Sequence, residues 1–435
     1  MNTLLYSQMN ESGAPPSWWP RWLVVLVVLG LVIGGSAFII SRQSRAEYDR
    51  AVADAKRVGL PLSLRDVIGP EIPAEQNRLE VYSEAESLLK GSYKGWNEYL
   101  MDLEDAKPSA SASEKIDRAL SVLQPALRLL LGTPRPKFQF VPPNLSSDAS
   151  GELDAQFRYL IQKPTAFIDL TRLLSLEAEA SIRKGRLAEA NVAIDRNCQL
   201  GDDCVKAPLI AGMFIATLVG EYANNDIQRE LRSTALDAQS LTELKRLVES
   251  RDDVGDPHVS FAGEVILVLR GAPNLGSGSV LSGVQQAAKP KFVEAWAAAW
   301  PQFPRRWDDG PAVLAAIAKL RQGYDSAGPI IKLLSSSHLP KLEKYAKQFG
   351  IAAAERRMLV CAIALFQARN ASGHFPGSLP LSLGNWALNP FTDKPIVYAL
   401  SGNRFKMGCP MTDADSVYPF DEKHSVVIDF SKPLP

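Results

Sequence analysis

An excess of charge of either sign is what this chain most plainly lacks. Lys plus Arg and Asp plus Glu both count 48 in 435 residues, so no whole-chain field steers the protein to nucleic acid or acidic lipid, and no nucleic-acid partner is expected. Cysteine and histidine are scarce, four of each. That is too few for a disulfide scaffold, and no paired CxxC knuckles are present to seat zinc. His258, His338, His374 and His424 each lack a second His or Cys at i+3 or i+4 to complete a metal-binding helix face. No G-x-x-x-x-G-K-[ST], G-x-S-x-G, H-E-x-x-H or strand-flanked G-x-G-x-x-G occurs. The common phosphate-cradling, acyl-transfer and zinc-hydrolase sites therefore have no signature here.

What the chain does have begins with an uncharged run. Leu23–Ile40, "LVVLVVLGLVIGGSAFII", carries no charge for eighteen positions, which at about 1.5 Å per residue nearly spans a hydrocarbon core of about 30 Å. Trp18, Trp19 and Trp22 stand where an interfacial aromatic belt would lie, and Arg42 and Arg45 close the other end. Residues 22–41 are therefore predicted to form one transmembrane helix behind a short tail at 1–21. A cleaved signal peptide and a buried core helix are the rivals. No A-x-A-like site follows the run, and core helices are rarely apolar all round. Within it Gly30 and Gly34 form a G-x-x-x-G, the spacing that lets two membrane helices approach, although glycine is common in such helices anyway. Counting positive charge, with Arg21 before the run and Arg42, Arg45, Arg50, Lys56 and Arg57 after it, puts the body in the cytoplasm.

The body reads as helical throughout. A helix at Arg45–Val58 should stop at the Pro- and Gly-rich "GLPLSLRDVIGPEIP", and a second is expected over Ala74–Leu89. Further helices are expected near 112–132, 153–184, 187–200, 208–233, 239–250, 256–270, 287–299, 311–322, 340–349 and 351–370. In the clearest pair, Leu173, Leu176, Ala180 and Ile182 line one helix and Leu187, Ala190, Ala193 and Ile194 the next, with Gly185 as terminator between them. The Gly185–Ala190–Ile194 spacing resembles a tetratricopeptide unit, but no second copy follows at a 34-residue period. The fold class expected is mainly α: a transmembrane helix, an irregular stack of helical hairpins and a small C-terminal β-meander. Residues 42–270 form its first half, 271–290 a Gly- and Ser-rich flexible connection, 291–372 the second half and 373–435 the tail. Phe292, Trp296 and Trp300 recur every four residues on one face, a spacing that core packing explains better than a partner-binding stripe.

Three clusters invite chemistry. Asp252, Asp253 and Asp256 spell D-D-x-x-D, which resembles the magnesium-diphosphate motif of helical isoprenoid synthases. That motif needs its carboxylates stacked on one helix face, whereas Gly255 lies inside it and Pro257 follows, so a loop capping the next helix is expected. Cys198 and Cys204 lie close enough in sequence to bridge in an oxidising compartment, or else are small buried hydrophobes. In "MTDADSVYPFDE", Asp413, Asp415 and Asp421 are candidate hard-oxygen ligands for calcium, set against a simple polar turn.

The tail carries a resemblance. "FQARNASG", "HFPGSL", "NPFTDKPIVY", "NRFKMG" and "VVIDF" follow in order and resemble the pattern G-x-[YF]-P-x-S-L … [DN]-P-[FW]-x-x-x-P-x-x-Y of pseudopilin-like tails, in which a helix hands over to a small β-meander. Phe375 and Pro376 match the aromatic-Pro pair, Asn389, Pro390 and Phe391 match the [DN]-P-[FW], and Pro395 with Tyr398 completes it. With "SLRDV", "EASIRKGRLAEA" and "LIAGMFIATLVGEYA", the layout over most of 42–430 is similar to a family of uncharacterised membrane-anchored envelope proteins of planctomycete-type bacteria. The resemblance implies an architecture and not a reaction, and it tips the body toward the extracytoplasmic side of a bacterial inner membrane. A pilin subunit itself is excluded, because "PPSWWPRW" stands where the processing site of true pilins would be. Three functions follow from the sequence: a single-pass anchored scaffold or interaction protein, with partner proteins or a second copy as its contacts; an accessory part of a secretion or pilus-like machine; or a membrane-tethered all-helical enzyme using Asp252, Asp253 and Asp256.

Overall fold

The computed structural model describes residues 45–431 apart from 93–109, 133–134, 143–149, 234–235, 252–254, 271–278, 308, 329–338, 413, 418 and 424. Gly30, Gly34 and the whole of residues 22–41 lie outside that range. No helix among the described residues is long and apolar enough to cross a membrane.

The described chain is mainly helical, as its patterning predicts, and ends in a three-stranded antiparallel sheet. In order, α1 covers residues 45–57, α2 Leu64–Ile68, α3 Arg78–Ser92, α4 Ala110–Val122, α5 Gln124–Leu131, α6 Ser150–Arg183 and α7 Leu187–Cys204. Then come α8 Ile210–Leu231, α9 Ala238–Ser250, α10 Pro257–Arg270, α11 Ser279–Ala299, α12 Gly310–Ser326 and α13 Leu339–Ser372. The strands β1 Val397–Ser401, β2 Arg404–Pro410 and β3 Ser425–Asp429 follow, paired as a meander in the order β1-β2-β3.

Gly185 ends α6 as expected. At φ 70° it takes the left-handed conformation glycine tolerates, and the Arg186 amide donates back to the Ser181 carbonyl at 2.9 Å, the closing bond of a Schellman turn. Elsewhere local chemistry moves the expected boundaries. The segment near 112–132 divides at Leu123 because Pro125 sits at the start of α5, where its missing N–H costs nothing. The helix expected from Ala74 starts instead at Arg78. Asn77 intervenes, its side chain accepting from the Leu79 amide at 3.1 Å and from the Gln139 amide at 3.1 Å. Part of the connection expected at 271–290 is helical, since α11 begins at Ser279 and runs through Pro290. Its Gln and Ala residues are good helix formers that offset the Gly and Ser beside them.

Two hydrophobic cores organise the chain. The first gathers residues of α1 to α6, the end of α7, the start of α8, α10 to α12 and the start of α13. Trp296 and Trp300 of the aromatic stripe are buried in it, and Trp307 meets Phe261 at 5.0 Å and Phe349 at 4.5 Å between ring centroids. The second core takes the end of α6, one face of α7, the end of α8, α9, the rest of α13 and the β-tail. Helices α6, α7, α8 and α13 therefore run from one core into the other. Each is 18 to 34 residues long, or roughly 27 to 51 Å.

The tail motif has a structural meaning. α13 continues through Gly350, where two helices separated by a break were expected, because glycine there opens a notch. A Cβ at that position would lie 2.5 Å from the Phe391 ring. Asn389 is buried; its Nδ2 donates to the Pro410 carbonyl at 2.7 Å and its Oδ1 accepts from the Phe391 amide at 3.0 Å. Tyr398 donates its hydroxyl to the Pro376 carbonyl at 2.8 Å. The motif thus clamps the meander to α13.

Candidate functional site

Of the residues singled out from sequence, Asp252, Asp253 and Asp413 lie outside the described residues. Asp256 and Gly255 are non-helical, and α10 begins only at Pro257. Asp256 serves as a cap: its Oδ1 accepts from the His258 amide at 2.8 Å, and its Oδ2 lies 3.2 Å from Arg305. Burial alone would raise its pKa, yet hydrogen bonds from His258 and Arg305 hold it below the usual carboxylate range. Asp415 accepts from the Thr412 hydroxyl at 2.7 Å and Asp421 from the Lys423 amide at 3.0 Å. These are turn-forming bonds. No group of three metal-ligating side chains is found among the described residues.

Cys198 and Cys204 do not pair. Neither is in a disulfide and both are buried in α7; six helical residues separate their Cα atoms by about 9 Å along the axis, beyond the roughly 7 Å a disulfide spans. They also face different cores, Cys204 the first and Cys198 the second.

Most buried charge fastens helices to one another. Asp203, fully buried, accepts from Arg78 Nε at 2.8 Å and Nη2 at 2.6 Å, from the Tyr82 hydroxyl at 2.9 Å and from Lys206 at 2.9 Å. Four donors on one carboxylate tie α3 to the end of α7. Asp226 of α8 accepts from Ser175 of α6 at 2.8 Å and from Arg229 at 2.6 Å, and burial pushes its pKa up to about 7. Glu230, one turn on, is fully buried with no hydrogen-bond partner at either oxygen. Desolvation drives it to about 8, opposed by the Asn191 side chain beside it.

One cleft differs in kind. It opens where the ends of α8 and α13 meet the β1-β2 hairpin, has a volume of about 690 Å³, and holds Arg232, Arg369 and Arg404 among its walls. Phe366, Phe375, Phe405 and Phe430 form its floor. They pack as a continuous cluster, with Phe375 4.9 Å and Phe430 4.8 Å from Phe405 between centroids. Two of the arginines lie over that floor: the Arg232 guanidinium carbon is 4.4 Å from the Phe430 centroid and that of Arg369 5.0 Å from the Phe375 centroid. Such stacking holds a planar guanidinium in place while leaving its edge N–H groups available.

The bonds these arginines make go to backbone carbonyls. Arg232 donates to Gln228 at 3.1 Å and Asp429 at 3.0 Å, and Arg404 to Ser431 at 3.2 Å. Among the described residues, no acidic side chain lines the cleft. The Asp429 carboxylate also attracts Arg232 electrostatically, and it accepts from the Ser431 amide at 2.7 Å. Burial pulls the pKa of Arg232 down from its ordinary value, and its Nε is buried with no hydrogen-bond partner. Three positive charges thus share one partly desolvated cleft without a carboxylate in ion-pair contact among the described residues. Sequence reading missed them because they come from three distant segments, and only the aromatic-Pro motif at Phe375 pointed to the place.

Comparison of the chain with protein-family models, curated proteins and solved structures finds no match. The functional reading therefore rests on the chain's own residues.

Proposed function

We propose that this chain is a single-pass membrane-anchored scaffold or interaction protein of the bacterial cell envelope, tethered through residues 22–41. Its body meets a protein partner at the cleft between helical body and β-tail. The observation that carries this reading is the set of three arginines, Arg232, Arg369 and Arg404, lining a cleft with no carboxylate among its walls. A cationic cleft whose described walls hold no carboxylate is an electrostatic cost to the free protein that an anionic partner reduces on docking. The tail fits the same reading, since the motif residues Asn389, Phe391 and Tyr398 hold the meander on α13 and so keep Arg404 of the sheet in the same cleft as Arg369 of the helix.

A second reading, an accessory part of a secretion or pilus-like machine, draws support from the three-stranded meander joined to a long helix by a Pro-rich connector. One experiment addresses both. Full-length protein is cross-linked in native membranes, extracted in detergent and captured, beside a variant carrying Arg232→Gln, Arg369→Gln and Arg404→Gln. Discrete partners recovered with the native chain and lost with the variant support the interaction reading, and assembly-machine components among them favour the second. Identical recovery from both chains contradicts the placement of the partner in this cleft.

A further inference from the structure

Resting on that reading, the lining of the cleft narrows the chemistry of what it holds. Besides the three arginines, its polar groups are two carboxamides, Asn370 and Asn403, and the hydroxyl of Ser233. A carboxamide offers both a donor and an acceptor, as does a peptide unit. A phosphate or sulfate ester would use only the donors. The arginines are also spread out: Arg232 and Arg369 stack on Phe430 and Phe375, the two outer rings of the cluster, with Phe405 between them. That spacing suits several separate anionic groups along an extended chain better than one compact oxyanion.

We infer that the body–tail cleft binds an acidic peptide segment of a partner protein, with Asp or Glu carboxylates taken by Arg232, Arg369 and Arg404 and the segment's backbone amides by Asn370 and Asn403. Each arginine supplies a fork matched to a carboxylate. The four phenyl rings exclude water from beneath the ion pairs, which strengthens each of them. Recognition of this kind is fast, salt-sensitive and dependent on several weak pairs.

The test uses the full-length protein in neutral detergent and fluorescence anisotropy with a labelled octapeptide of alternating Glu and Gly. Three companions accompany it: the same peptide with Gln for Glu, inorganic polyphosphate as competitor, and vesicles containing an anionic phospholipid. The Glu peptide should bind and the Gln peptide should not. Arg369→Gln should weaken binding by about tenfold or more, and raising salt from about 50 to 500 mM should weaken it further. An Arg369→Lys variant keeps the charge but loses the fork and should recover only part of the affinity. Thermal unfolding of each variant shows whether it is folded; should Arg369→Gln fail to fold, the exposed Arg404→Gln takes its place. Equal binding of the Glu and Gln peptides, or displacement by polyphosphate far below the concentration of Glu peptide needed, overturns the assignment. If the acidic peptide fails to bind while partner capture still depends on the three arginines, the ligand chemistry is wrong and the interface stands. If both fail, the cleft is not the interface.

Discussion

Glu230 offers the sharpest test of how the helical body is held together. It lies near the end of α8 with its side chain fully buried, and neither carboxyl oxygen nor the Oδ1 of neighbouring Asn191 has a hydrogen-bond partner. Unpaired acceptors in the same buried environment are costly if the carboxylate is charged and tolerable if it carries a proton. Desolvation accordingly moves Glu230 from 4.5 to about 8, with Asp237 and Asp226 adding repulsion. Between those two values the folded chain keeps a proton that the unfolded chain has released, so raising the pH favours unfolding across that window. At about 1.4 kcal/mol per pH unit the full effect is roughly 5 kcal/mol, a large fraction of ordinary domain stability. Glu230→Gln removes the titration and keeps the shape. Urea unfolding followed by circular dichroism should place the variant within about 1 kcal/mol of the native chain at pH 5, where both side chains are neutral, and about 3 to 5 kcal/mol above it at pH 8.5. Asp226, which burial raises to about 7, makes its own acid-favouring contribution in both chains, and its repulsion of Glu230, lost in the variant, adds to the difference at high pH. A difference that does not change with pH, or a variant less stable than the native chain at pH 8.5, would refute the protonated, partnerless Glu230.

Three other substitutions or treatments probe separate parts of the fold. Asp203→Ala leaves Arg78 and Tyr82 buried without their acceptor and should cost about 3 to 5 kcal/mol in urea unfolding, whereas Tyr82→Phe removes one hydrogen bond and should cost about 1 kcal/mol. Similar small losses from both would show that Asp203 does not organise the α3–α7 junction. Gly263→Ala places a Cβ 1.8 Å from the Pro208 carbonyl oxygen, while Gly91→Ala meets nothing within 4 Å. The first should destabilise by roughly 1 to 3 kcal/mol and the second should not. Cys198 and Cys204 should both alkylate in urea after expression in an oxidising compartment and resist alkylation in the folded protein, because burial pushes the Cys204 thiol well up and both thiols are buried. A peptide pair lighter by two hydrogens in mass spectrometry would contradict their separation on α7.

How far the sequence revealed this molecule depends on how local each signal is. The helical hairpin at Gly185 and the aromatic stripe were legible because each rests on periodicity or a single terminator within a few residues, whereas the closing meander was expected from the tail's resemblance to pseudopilin-like tails. Gly350 misled, since a glycine read as a helix break is a notch for Phe391, a ring 41 positions further along the chain in SEQ numbering. The Cys198–Cys204 bridge was open only while the secondary structure was, for a continuous α7 separates the two thiols. The arginine cleft had no local pattern at all. Nothing local sets Arg232, Arg369 and Arg404 apart until α8, α13 and β2 are placed together, and what marks them is that the described walls of their cleft hold no carboxylate. Glu230 was equally silent, since its surroundings include residues of other segments, Asn191 of α7 and Asp237 at the start of α9.

The central claim is that a partner occupies the cleft between body and tail, and photo-cross-linking from inside that cleft tests it most directly. A photoreactive amino acid is introduced at Asn403, on the turn between β1 and β2, in full-length protein expressed in its native host. Irradiation of intact cells should yield an adduct of discrete mass that disappears when Arg369→Gln is added to a chain shown to be folded. An absence of adduct from Asn403, or an adduct unaffected by loss of the arginine, would contradict the account.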